Sequence, residues 1–571
     1  MERLNPIYTL QRECHDCHKC IRECPVKAIR VQDTWARIVP EICVQCGNCV
    51  QVCPSHAKQV RDDLPLAKAL LQSGRRVIAS LAPSFIAQYP GVKPAQLIHA
   101  IRQLGFAEVS ETALGAQQVS AAIYAEMSVA EKQLRISSAC PVVVDLVAKY
   151  YPDCQPLVTS FLSPLLTHCR MLREHYGPEI AVVFIGPCIA KKQEAEAHPE
   201  LLDVALNFED LDLWFSELGI VPEEQPMLAE DRFQPQTAQE GALYPIDGGM
   251  APGVTAGEEK NRPEFLSFSG MDAVVHVLKD IPHWQPEHNL FFELTACAGS
   301  CINGPRTRSK SSLARRRYDV MHYAQNADNL PRALTVDLRR NYEATPVEQP
   351  EYSDLQIQEA LRTVGKYTAA DILDCGGCGY ESCHEFGRAL ITGKAERMMC
   401  ATYTRHLAQK KAHALMQRMP SGVVIVDENM RILECNASFV RMFIGAGQQP
   451  GDLEGTALGT VIPSAHLFRR VLDGGEDIVG HDIRFLRRIL NTSIFAIEPG
   501  SVIGGIFRDI TEPTEQKEQI VARAREVIEK NLKTVQQIAY LLGENAADSE
   551  IILNSIVSSF RPGEPEEGEA H

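Results

Sequence analysis

The sequence predicts a multidomain chain of mixed α+β and α/β class, and three observations predict it. Its 571 residues are more than one hydrophobic core usually serves, so several domains are expected. All but three of its 19 cysteines fall into three patterns suited to iron–sulfur ligation. Between the first and last patterns, helical and strand-like stretches alternate, as in a sheet with covering helices. The expected segments are a two-cluster domain at 1–63, an α/β domain at 64–350 and a small cysteine-bearing domain at 351–402. A mixed domain at 413–512, a helix at 513–545 and a tail at 546–571 complete the chain.

Composition excludes several functions. Apolar content of 45% is ordinary for a globular chain. A net charge of −16 lacks the basic footprint of nucleic-acid binding. The start, Met1-Glu2-Arg3-Leu4-Asn5-Pro6, has no apolar core of a signal peptide. No apolar run is long enough to span a bilayer. The expectation is a cytoplasmic protein with no membrane or nucleic-acid partner. Thiols stay reduced there and bind metal, whereas a disulfide framework is the alternative.

The spacing C-x2-C-x2-C-x3-C-P occurs twice at the start: Cys14, Cys17, Cys20, Cys24-Pro25, then Cys43, Cys46, Cys49, Cys53-Pro54. In such repeats three thiolates of one run hold a cubane and the fourth goes to the other cluster. One 4Fe-4S cluster is therefore expected on Cys14, Cys17, Cys20 and Cys53, and a second on Cys43, Cys46, Cys49 and Cys24. Pro25 and Pro54 end the ligand loops. Ile29 to Val31 and Ala36 to Val39 read as strands around a turn at Asp33. This resembles the bacterial two-cluster ferredoxin domain; a zinc site is the alternative.

In the central segment, Arg75 to Leu81 and Ile180 to Ile185 read as buried strands, and Pro94 to Leu104 as an amphipathic helix. Four cysteines are scattered at the ends of such elements, where loops gather distant residues. Three motifs carry them: Ser137-Ser138-Ala139-Cys140-Pro141, Gly186-Pro187-Cys188-Ile189-Ala190-Lys191-Lys192, and Glu293-Leu294-Thr295-Ala296-Cys297-Ala298-Gly299-Ser300-Cys301 followed by Gly304-Pro305. In that order, behind a two-cluster ferredoxin segment, they resemble the iron-only (FeFe) hydrogenases. The resemblance implies an H-cluster, a 4Fe-4S unit joined to a diiron subsite. Cys140, Cys188, Cys297 and Cys301 would hold it, with Cys301 as the bridge. It further implies that Lys191 contacts a cyanide ligand and that Ala82-Pro83-Ser84 packs beside the diiron half. Cys154 and Cys169 match no motif and read as buried small hydrophobes.

The departures from that family bear on activity. Catalytic members carry a proton-passing cysteine where this chain has Ala139. Near the family's relay glutamate the chain reads Ala121-Ala122-Ile123. Gly186 replaces a methionine, and the glycine run after the bridging cysteine shrinks to Asn303-Gly304-Pro305. Positioned acid–base groups contribute roughly 10²–10⁴-fold to rate, so a low-activity enzyme of H2 oxidation or proton reduction is expected.

A third set, Cys375, Cys378, Cys383 and Cys400, sits among Gly376, Gly377 and Gly379, which let the backbone wrap closely around a metal centre. It resembles the small 4Fe-4S domain of redox and corrinoid-handling proteins, with a zinc knuckle as the alternative. Cys383 to Thr392 reads as a helix. The position suggests an electron outlet from the central domain toward the C-terminal segments.

Tyr403 to Gln417 reads as a linker helix. Beyond it, Pro420 to Asp427 and Arg431 to Asn436 read as strands around a turn at Glu428-Asn429, Ala437 to Phe443 as a helix, and Gly504 to Thr511 as a closing strand. This order resembles a PAS domain, whose ligand the sequence leaves unknown; His466, His481 and Cys435 read as ordinary residues. Val521, Ile528, Val535 and Leu542 then recur every seventh residue, with Ala524, Asn531 and Ile538 at the second seam position. A parallel coiled coil, and so a homodimer, is one reading; a helix packed on its own PAS domain is the other. The acidic tail reads as disordered.

Together these features suggest an FeFe-hydrogenase-like H2 sensor, exchanging electrons with a ferredoxin-like partner and signalling to a regulatory kinase or phosphatase. The alternatives are a metabolic ferredoxin-linked hydrogenase, or a non-hydrogenase iron–sulfur carrier or assembly protein.

Overall fold

The computed structural model describes residues 4–256, 262–325, 330–348, 350–445 and 447–542. The expected tail at 546–571 lies outside the described residues, as do the side chains of the seam positions Val535, Ile538 and Leu542. The chain forms two compact units, Met1–Tyr403 and Thr404–His571.

In the first unit, Ile7–Thr9 pairs antiparallel with Lys58–Val60. Ile29–Gln32 pairs with Trp35–Ile38 around a turn in which Asp33 and Thr34 take φ of 53° and 65°. Two short helices, Lys19–Arg22 and Asn48–Gln51, lie within the cysteine runs.

The central segment builds two parallel sheets. The first has the order Glu108–Glu111, Val77–Leu81, Ala181–Gly186, Val204–Asn207. Its two middle strands are buried throughout, which explains their unbroken apolar runs, because both faces of a parallel sheet are covered. The helix Pro94–Gln103 starts on a proline, whose missing N–H costs nothing there. It buries Leu97, Ile98, Ala100 and Ile101. The second sheet has the order Glu264–Ser269, Leu290–Thr295, Leu134–Ile136. The long helix Ala113–Val129 packs on the helix Pro164–Tyr176, and its first turn borders the cavity described below.

The last cysteine set does not lie beyond the central sheets as an outlet from them. Its segment shares one apolar core with the N-terminal cysteine domain: Ile21, Ile29, Cys24 and Cys43 pack with Tyr380, Phe386, Met399 and Cys400. Val31 N–H donates to Lys394 O at 2.9 Å, and Asp33 N–H to Glu396 Oε1 at 2.8 Å. The expectation failed because these pairings join residues far apart in sequence, which spacing cannot reveal.

The second unit holds a five-stranded antiparallel sheet in the order Ile432–Cys435, Gly422–Val426, Val502–Asp509, Arg488–Glu498, Ile478–Phe485. Asn436 organises its start. Its Oδ1 accepts from Phe439 N–H, capping the helix Ala437–Phe443, and from Val423 N–H. Its amide donates to Met416 O and Ser421 O. Phe439, Phe468 and Phe507 fill the core together with Cys435. His466 is half-buried and His481 exposed. The helix Thr511–Leu542 comes last; on it Val521, Ala524 and Ile528 are half-buried and Asn531 is exposed. No described helix is long and apolar enough to cross a membrane.

Candidate metal centres

The carboxyl ends of both parallel sheets open into one cavity, the usual place for a ligand in such sheets. Ala82, Pro83 and Ser84 continue one strand, Thr112 and Ala113 the next, and Pro187 and Cys188 the third. From the other sheet come Ser137, Ala139 and Cys140, then Thr295, Ala296 and Cys297, with Cys301 and Gly304 beyond them. Cys140 caps the helix Pro141–Tyr150, and Cys188 precedes the helix Ala190–Ala197.

The four scattered thiols thus meet. Burial drives the Cys297 thiol well above its usual pKa, and the charges of Cys301, Cys188, Cys140 and Cys46 push it further. Burial first, then Cys140, holds Cys188 at about 11, against the opposing pull of Lys191. Burial, Cys140 and Cys188 raise Cys301 in the same way. Cys301 has accessible surface although protein surrounds it, because that surface is cavity wall.

Lys191 lies on the same wall. Its ammonium donates to Ser163 Oγ at 3.2 Å and pairs with Glu194. Ala139 presents a methyl group and packs with the core of Val119, Ile123 and Met250. Ala121, Ala122 and Ile123 are buried on the helix Ala113–Val129. Beside them on that helix is Ser120, whose Oγ bonds Tyr244 OH at 2.8 Å. Gly186 has a local cause. A Cβ there would stand 2.8 Å from Ala82 Cβ and 2.4 Å from the Phe184 ring, so a methionine does not fit.

Tyr244 and Met250 also line the cavity. Nothing in the sequence marks them, since they lie in a stretch without motif or period. Glu293 was visible only as a letter of the third motif. It is the one carboxyl among the described lining residues. Its oxygens accept from Gly248 N–H at 2.7 Å, Ser267 Oγ at 2.8 Å and Met250 N–H at 3.2 Å. Burial raises its pKa to about 7 against those bonds.

The N-terminal thiols sort into two interleaved groups. Cys20 is raised to about 11 by burial, with Cys14, Cys17 and Cys53 as its thiol neighbours. Cys49 is raised by burial and by Cys46, Cys24 and Cys43. In the third set burial raises Cys378, and Cys400 and Cys375 add to it. Cys383 N–H donates to Asp374 Oδ1 at 2.5 Å, and Gly376 and Gly379 take φ of 67° and 89° in the loop. Cys154 and Cys169 are fully buried and belong to none of these groups.

These surroundings fit iron–sulfur units. The donors are soft thiols. Among the described residues, no three His, Cys, Asp or Glu side chains are drawn close enough for a single metal ion. On the cavity wall, Ser84 Oγ and Gln45 Oε1 are buried without a protein partner; buried polar atoms are rarely left so unless a further group meets them.

Comparison with known proteins agrees. Residues 75–305 match the family described as iron only hydrogenase large subunit, C-terminal domain. Residues 13–57 match a 4Fe-4S dicluster domain, 373–402 a model for an Fe-S cluster segment, and 410–510 the PAS fold. Among solved structures, an FeFe hydrogenase described for oxygen inactivation of its H cluster is 19% identical; the likeness covers 50% of this chain and 100% of that one, with a TM-score of 0.40. A variant FeFe hydrogenase from Chlamydomonas reinhardtii is 22% identical over 50% of this chain and 92% of its own, with a TM-score of 0.37. The PAS domain of an HTR-like protein from Haloarcula marismortui is 18% identical over 18% of this chain and 99% of its own, with a TM-score of 0.14. A search of the curated proteins finds no match. Residues 75–305 are the C-terminal domain of an iron-only hydrogenase, which this chain joins to a 4Fe-4S dicluster domain, an Fe-S segment and a PAS fold.

Proposed function

We propose that this chain is a slow hydrogenase that reports the presence of H2. One observation carries the reading: four thiols from three loops, with Lys191 and Ala82-Pro83-Ser84, surround a cavity in which position 139 offers a methyl group and no proton. Cys140, Cys188, Cys297 and Cys301 would hold the H-cluster, with Cys301 as the bridge, and Lys191 would face a cyanide ligand. When bound, that group supplies the splitting of H2 into protons and electrons.

The chain's own residues set the rate. The apolar wall excludes water, and Ala139 passes no proton. Glu293 is the carboxyl that holds one at this wall near neutral pH, and its bonds to Gly248, Met250 and Ser267 fix it in place. The N-terminal sets Cys14, Cys17, Cys20, Cys53 and Cys24, Cys43, Cys46, Cys49 would each hold a 4Fe-4S cluster, as would Cys375, Cys378, Cys383 and Cys400. The PAS domain and the helix after it would pass the redox state to a regulatory partner such as a kinase or phosphatase. The helix would pair two copies of the chain.

The test is to expose the anaerobic, fully loaded protein to H2 and follow its cubanes by electron paramagnetic resonance. Reduction within minutes, alongside slow steady turnover with a viologen dye, supports the proposal. Cubanes that stay oxidised under H2 yet accept electrons from dithionite contradict it.

A further inference from the structure

Tyr380 is 4% exposed, and its hydroxyl is buried without any protein partner. Its ring packs against Phe386 with centroids 6.0 Å apart, inside the core that holds Cys24, Cys43, Cys383 and Cys400. The loop that carries it is pressed onto the N-terminal cysteine domain. A Cβ on Gly379 would lie 3.0 Å from both His18 O and Ile21 Cβ, and Arg22 donates to Gly376 O at 3.3 Å. Cys378 and then Cys24 are the leading charged neighbours of the hydroxyl. A buried phenol normally donates to something, and here the acceptors that the surroundings provide are sulfur atoms.

We propose that the Tyr380 hydroxyl donates a hydrogen bond to sulfur of the iron–sulfur centre on Cys375, Cys378, Cys383 and Cys400, and so sets the potential at which that centre takes an electron. This rests on the reading of those four thiols as a cluster site. A donor aimed at cluster sulfur favours the reduced, more negative state and raises the potential. The centre's place beside Cys24 makes it a branch on the N-terminal relay, filled when that relay is reduced, and Tyr380 tunes how readily it fills.

The experiment is a redox titration of the full chain, loaded with iron and sulfide and followed by electron paramagnetic resonance. The signal lost in Cys375→Ala identifies the third centre. In Tyr380→Phe, which keeps the ring packing, that signal is expected at a potential lower by a factor of about ten in its reduction equilibrium, about 59 mV for one electron. The other signals stay in place. Phe386→Leu, which disturbs the packing and leaves the hydroxyl, should not move it. An unmoved midpoint in Tyr380→Phe overturns the proposal. So does an equal shift in Phe386→Leu, or a shift confined to the centre that includes Cys24. If Cys375→Ala removes no signal and no iron, the cluster reading itself fails.

Discussion

Cys46 of the N-terminal domain lines the same cavity as Cys297 of the central domain, and the charge of Cys46 reaches the Cys297 thiol. Gly47 makes the approach possible. It takes a φ of +84°, and a Cβ there would stand 2.6 Å from Pro305 Cβ and 2.9 Å from Ile189 Cδ1. A side chain would strain the loop by about 1–3 kcal/mol and push it away from the cavity wall. Gly47→Val is expected to slow viologen-linked H2 turnover severalfold while the loaded protein keeps its infrared bands. An unchanged rate would show that electrons do not leave by this loop.

Ala139 is the second lever. It borders the cavity beside Cys140, and a thiol there would add a group able to carry a proton. Ala139→Cys should raise H2 oxidation by roughly 10²-fold or more, read as initial rates with the same cofactor loading. No gain would remove the missing thiol as the cause of slow turnover.

Lys192, next to Lys191, has a different task. Its side chain is fully buried, and its ammonium bonds Asp63 at 3.2 Å, Asp210 at 3.1 Å and Ala205 O at 3.2 Å. Removing one partner from a buried ionic group leaves charge unpaired, at about 3–5 kcal/mol. Lys192→Met should lower the thermal midpoint of the first unit by several degrees. Lys192→Arg should lose less.

Glu111 predicts a pH dependence. Burial raises its pKa from 4.5 to about 7, although Tyr323 OH at 2.5 Å and Ala238 N–H at 2.6 Å favour the anion. The folded state holds this proton over a range in which the unfolded chain has released it. Stability from this group is therefore full below about pH 4.5, falls as pH rises toward about 7, and is level above that. The loss amounts to about 3 kcal/mol. Glu111→Gln should flatten the fall, read from denaturation midpoints at pH 5 and pH 8; an identical slope in the variant would contradict the assignment.

What was legible in the sequence is what is local. The strands Val77–Leu81 and Ala181–Gly186 and the helix Pro94–Gln103 lie where apolar runs and a leading proline put them. The helix Ala437–Phe443 starts where Asn436 caps it. The cysteine spacings were equally plain. Tyr244 and Met250 were not, because they reach the cavity from a stretch without period or motif. The docking of Lys394 and Glu396 on Val31 and Asp33 was also hidden, since backbone pairing across such a separation leaves no trace in spacing.

The most direct test of the central claim is infrared spectroscopy of the chain loaded anaerobically with a synthetic diiron cofactor, beside Cys301→Ala treated alike. The account predicts CO and cyanide stretches in the unaltered protein that change under H2, and their loss in the variant. A fully iron-loaded protein without those bands, or a variant that keeps them, would contradict it.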